Sequence, residues 1–221
     1  MEITKRRASS RTFIVDRDHE IVDFPTSSPA GTPSDKLATV QGAPNGFPLP
    51  NAAYMDYFSL AQRGQVFMAS LQSVVALTTL NATATGFILT NPGSSGVNIA
   101  LLDVCVALAS APAGIASVHL AYGTKSDTAV THTTPLTVRS GLLDAYKGAG
   151  LADSSATLPA APVAIRAIGG GPVATGSVTS PFIRDEVRGQ IIIPPGSSLS
   201  LGYITTAISV VASMAWAELP I

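Results

Sequence analysis

Charge is scarce in this sequence. Asp, Glu, Lys and Arg make up 12% of its 221 residues, about half the share usual in soluble domains, while hydrophobic residues reach 46%. The shortage is uneven: residues 1 to 36 hold six basic and six acidic side chains, leaving seven and eight for the other 185 positions. A body this poor in charge either coats itself with Ser and Thr hydroxyls or hides surface against copies of itself or other proteins. The second option accounts for the composition more directly, because interface cores are depleted in charged residues. A homo-oligomer, a trimer around a threefold axis, is the expected state.

Cysteine is nearly absent too. The single Cys105 excludes a disulfide framework and a multi-cysteine metal site, and its setting in LLDVCVALA reads as a buried inert thiol. Aromatics make up 6%, with one Trp, which leaves few rings on which a sugar could stack. A net charge of −1 gives no general attraction to nucleic acid. Lys5, Arg6, Arg7 and Arg11 form a local basic cluster, read as a solvated segment partly neutralised by Asp16, Asp18 and Glu20. The start MEITKRRASSRTFIV turns polar where a secretory signal would turn apolar. Residues 104–121 are uncharged apart from His119, but Ser-Ala-Pro-Ala-Gly at 110–114 splits them into two strands rather than one membrane span.

Six prolines (Pro25, Pro29, Pro33, Pro44, Pro48 and Pro50) punctuate residues 1–50. Proline ends helices and interrupts central strands, so this region reads as an extended arm. Its apolar beads, Phe13, Ile14, Val15, Ile21, Val22, Phe24, Phe47 and Leu49, need burial and are the candidate partner-binding residues. Residues 51–64 read as a short helix, with Asn51 as cap and Gly64 just past the end. Tyr54, Tyr57, Phe58 and Ala61 recur at helical spacing, as a face packing on the β body.

From residue 65 to 221 the pattern is β, with strands expected at 65–71, 73–79, 85–90, 97–108, 115–122, 161–168, 189–193, 198–205 and 207–218. NPGSSG, SAPAG, GTKSD and PPGSS mark turns between them. Many short strands without βαβ alternation predict an antiparallel β-sandwich of jelly-roll kind. Residues 128–160 break the rhythm as an insertion, where Ser140 is placed to cap one or two helical turns ending at Gly148. In QIIIPPGSSLSLGY, Ser198, Ser200 and Gly202 alternate with Leu199, Leu201 and Tyr203, hydroxyls on one face and apolar groups on the other. Ile191, Ile192 and Ile193 do not alternate, so that strand is expected to be buried on both faces, one against the opposite sheet and one against the arm or another subunit.

Catalytic patterns are missing. His19, His119 and His132 lack metal-site spacing; a polar pair of His119 with His132 across a hairpin is the plainer expectation. Asp185 and Glu186 point to opposite faces of a strand, and Arg184 and Arg188 are expected to pair with them locally. Asp103, inside an apolar run, needs partners, which an interface or turn contact would supply. There is no GxSxG elbow, YGTKS lacks a phosphate loop's Gly-Lys junction, the GGG at 169–171 precedes Pro172 rather than a helix, and Asn81-Ala82-Thr83 is a chance glycosylation match. No catalytic residue, cofactor or metal is expected.

Four segments, ILTNPGSSGVNIALLDVCVALA, ATLPAAPVAIRAI, GQIIIPPGSSLSLGYITT and the terminal AWAELPI, together resemble structural proteins of tailed-bacteriophage particles. The shared features are an Asn-Pro turn before a long apolar strand, a PPG turn before the penultimate strand and a Trp-x-Glu-x-Pro ending. The resemblance spans residues 64–221. It implies a non-enzymatic virion component, either a head decoration or cement protein on the major capsid protein lattice, or a part of the neck or tail. A carbohydrate-binding host-attachment module is the alternative from another class.

Overall fold

The computed structural model describes residues 11–15, 21–25, 52–109, 112–143, 147–171 and 182–221. Two units separate, Met1–Ser59 and Leu60–Ile221. In the first, β1 (Arg11–Val15) and β2 (Ile21–Pro25) form an antiparallel pair, in register from Arg11 opposite Pro25 to Val15 opposite Ile21. The sequence reading had only an extended arm there. Helix α1 (Ala52–Gln62) follows. It ends as a Schellman motif, with Gly64 N–H donating to Ala61 O and Gln65 N–H to Leu60 O, both at 2.9 Å. Phe58, assigned by its spacing to a packed face, is 61% exposed.

The second unit is a sandwich of two antiparallel sheets. One contains β5 (Thr83–Asn91), β7 (Ala116–Gly123), β8 (Thr131–Pro135), β10 (Leu151–Thr157), β11 (Val163–Gly171) and β14 (Ser197–Tyr203), in the spatial order β11-β7-β14-β5-β10-β8. The other contains β3 (Val66–Ser70), β6 (Val97–Leu108), β9 (Arg139–Ser140), β12 (Phe182–Asp185) and β15 (Ser209–Pro220), in the order β12-β6-β15-β3-β9. Two short strands join it, β4 (Val75–Ala76) beside β15 and β13 (Ile191–Ile193) beside β6.

Eight of these strands fall into two sets of four, β3-β15-β6-β12 and β5-β14-β7-β11. Following the chain through them, every connection changes sheet except β7 to β11. That is jelly-roll wiring. The one same-sheet connection holds the insertion: β10 and β8 widen one sheet beyond β5, and β9 widens the other beyond β3.

The core lies between the sheets. Phe67, Phe87, Leu89, Ile99, Leu101, Leu120, Leu199, Leu201 and Trp216 are all at most 1% exposed, each contributing on the order of 1.5–3 kcal/mol by leaving water. A second, smaller cluster of Ala84, Ile88, Ala156 and Leu158, with Val130 against it, joins β5 to the insertion, including its strand β10.

The alternation in β14 holds, with Leu199 and Leu201 in the core and Ser198 and Ser200 facing the other way, though both serines are buried as well. The turn before it is type II: Gly196 sits at φ 82 and Ser197 N–H donates to Pro194 O. In the isoleucine run, only Ile193 is fully buried. Ile192 is 54% exposed, so within the sandwich one face of this strand is open, the face expected to lie against the arm or another subunit. Among the described residues 141–143 and 147–148 no helical turn follows Ser140, and 144–146 lie outside the described residues. Gly141 N–H donates to Val66 O and Leu143 N–H to Ser140 O, so the β3–β9 pairing takes the backbone donor and the chain turns.

Candidate functional site

One end of the sandwich carries a cleft of about 540 Å³. Thr90 and Asn91 come from the end of β5, Lys125, Asp127 and Val130 from the β7–β8 connection, and His132 from β8. Beside the cleft, Nδ1 of His132 lies 2.6 Å from Oδ2 of Asp153, a fully buried residue on β10. A carboxylate accepts, so the imidazole donates. Three buried oxygens here, Thr90 Oγ1, Asn91 Oδ1 and Asp153 Oδ1, have no partner among the described residues. The Asn91 amide is committed elsewhere, donating to Val97 O and Ile193 O at 2.8 Å each and holding the turns on either side.

An Asp–His pair moves protons when a hydroxyl or water occupies the second ring nitrogen. No described Ser or Thr hydroxyl bonds to His132; the contact with Asp153 fastens β8 to β10 and satisfies one oxygen of a buried carboxylate. The sequence reading had paired His132 with His119. That is corrected: β14, β5 and β10 lie between β7 and β8, a separation of roughly 19 Å at sheet spacing. His19 lies outside the described residues. No group of three His, Cys, Asp or Glu is placed to hold a metal among the described residues.

The other polar cluster lies along β6 and β12. Arg184 Nε donates to Asp103 Oδ2 at 2.9 Å, so the apolar-run carboxylate finds its partner within the chain. Asp185 takes Arg166 at 2.8 Å across to the opposite sheet, and Glu186 takes Arg188. Local pairing of Arg188 was anticipated; the Arg166 link was not. Arg188 holds the Glu186 carboxyl below its usual range, so this exposed contact is present above the ordinary carboxylate pKa and lost as pH falls through the lowered value. Cys105 is half-buried rather than buried; burial first, then the neighbouring Asp103 carboxylate, pushes its thiol up, which lowers its reactivity.

Of the arm residues singled out, Phe13, Ile14 and Val15 lie on β1 and Ile21, Val22 and Phe24 on β2; Phe47 and Leu49 lie outside the described residues. Large apolar side chains are also exposed on the sandwich, including Ile115 (72%), Leu143 (74%), Val163 (61%) and Phe182 (65%). Two buried acids escaped the sequence reading. Asp153 was hidden in LADSSAT, whose only signal is a lone carboxylate among Ala and Ser. Glu218, in the Trp-x-Glu ending, accepts from the Ala149 and Gly150 N–H groups and from Trp216 Nε1. No helix among the described residues is long and apolar enough to cross a membrane. No protein-family model matches the chain, and neither a curated protein nor a solved structure does.

Proposed function

We propose that the chain is a non-enzymatic structural subunit of a bacteriophage particle, a capsid decoration or cement protein that binds the head lattice and neighbouring subunits through residues 1–50. The observation that carries this reading is a charge-poor jelly roll with exposed Ile115, Leu143, Val163 and Phe182. Scattered exposed apolar residues are ordinary, but with so few charges around them they fit a subunit that works in an assembly. The phage-protein resemblance of residues 64–221 supplies the setting. Quantitative mass spectrometry of purified particles tests it. Recovery in many copies per particle is the expected result, a dozen or fewer would move the protein to the neck or tail, and absence from particles would overturn the reading. The polar cleft by His132 keeps a second reading in play, a carbohydrate-binding host-attachment module; a saturable hit on a glycan array would favour it.

A further inference from the structure

The two ends of the sandwich differ in charge. The cleft end carries Lys125, Asp127 and Glu218. The opposite end is built by the β3–β5, β6–β7 and β14–β15 connections, and no Asp, Glu, Lys or Arg occurs in 71–82, 109–115 or 203–209. Beyond residue 36 the chain carries 15 charges in 185 residues, a rate at which about two would be expected there. These connections are stitched to one another by backbone and hydroxyl bonds. Leu77 N–H donates to Ile208 O, Tyr203 N–H to Thr78 O, Ala109 N–H to Ser209 O, and the Thr205 hydroxyl to Ile115 O at 2.7 Å. Together they form one surface rather than separate loops.

On that surface Val74 (57%), Ile115 (72%) and Ile204 (50%) are exposed, and Phe182 (65%) begins β12 opposite Ala107, near the end of β6. Around them Gln72, Ser73, Thr79, Asn81 and Thr205 are exposed and uncharged. Apolar tips inside a polar, uncharged rim match the anatomy of a protein interface, where charge is depleted at the centre.

Resting on the assembly reading above, we propose that this charge-free end is the self-association surface and that its partner is the same end of further copies of this chain. Charge decides among the occupants. A phosphate backbone or an anionic bilayer calls for Lys or Arg at the contact, and the three connections have none. A strongly charged protein would lose its hydration against it and gain no counter-charge. A second copy of the same end brings neither like-charge repulsion nor a stranded charge.

Analytical ultracentrifugation of the full chain tests this with four proteins: wild type, I115D, I115K and, as a control away from this end, L143D. Position 115 is 72% and position 143 is 74% exposed, so the substitutions leave the circular dichroism spectrum and melting unchanged. The expected result is self-association of wild type and L143D, a loss of roughly 100-fold in affinity for I115D and for I115K, because like charges then meet, and recovery when those two are mixed. If I115D associates like wild type, or the mixture fails to recover, this surface is overturned as the self-interface while the assembly reading stands. A wild type that stays monomeric at tens of micromolar sinks self-assembly itself. Flotation of wild type, but not I115D, with neutral phosphatidylcholine vesicles would make the occupant a bilayer and overturn the proposal.

Discussion

A single carboxylate ties the last strand to the inserted segment. Glu218 is 7% exposed, and its two oxygens accept from Ala149 N–H at 2.7 Å, Gly150 N–H at 2.8 Å and Trp216 Nε1 at 3.2 Å. The site is tight: a Cβ at Gly148 would meet Glu218 Oε1 at 2.5 Å, and one at Gly150 would meet Ile99 Cδ1 at 2.8 Å. A Cβ at either position would push on the Glu218 carboxylate or on the Ile99 side chain. Bonds to a charged acceptor contribute more than neutral ones, and an orphaned buried donor costs more again. Glu218→Gln keeps the shape, but one of its two acceptors becomes a donor facing an N–H group. The expected cost is about 2–3 kcal/mol, read as a lower urea midpoint with an unchanged slope. A stability equal to wild type would mean that the inserted segment is held by other contacts.

At the scale of elements, turn chemistry proved the most legible feature. NPGSSG, SAPAG and PPGSS each separate strands where Gly and Pro demand a turn, and the alternation of Leu199 and Leu201 with serines put β14 on the core. The insertion was opaque for a physical reason. β8 (THTTP) and β10 (LADSSAT) have no apolar alternation of their own; β10 is a strand because β5 offers an edge to pair with, and β8 because β10 then does, and pairing is tertiary context. The same limit hid the His132–Asp153 contact, which depends on strand order. Close approach was equally invisible at Gly170, where a Cβ would run into the carbonyl oxygen of Ala116 on the paired strand β7. Backbone cannot give way as a flexible side chain can. Gly170→Ala should prise the end of β11 from β7 at a cost of about 1–3 kcal/mol. Amide exchange should quicken at residues 116–118 and 169–171 while β6 and β15 keep their protection; uniform exchange across the sandwich would show that the edge is not an independent unit.

At the scale of the whole molecule, the two units call for different explanations. Leu60–Ile221 holds both hydrophobic clusters and has what it needs to fold. Within 1–50, β1 and β2 form a two-stranded pair, and a two-stranded pair is marginal in water without something to pack on. Ordering proline-punctuated chain costs on the order of 1 kcal/mol per residue, so only extensive contacts outside the segment would hold it. The beads Phe13, Ile14, Val15, Ile21, Val22, Phe24, Phe47 and Leu49 have the apolar area to make those contacts, and six charges of each sign within residues 1–36 can set register through ion pairs. Deleting residues 1–45 should therefore leave the β signal and melting of the sandwich intact, since nothing in its core is removed. Binding to purified particles should fall severely, by at least about 100-fold if the arm supplies even 3 kcal/mol of the contact. The charge-free end stays in place in this truncation, so weak self-association should persist after particle binding is lost. A truncated protein that binds particles as tightly as the intact chain would reduce the segment to a passive tail and leave attachment to the sandwich alone.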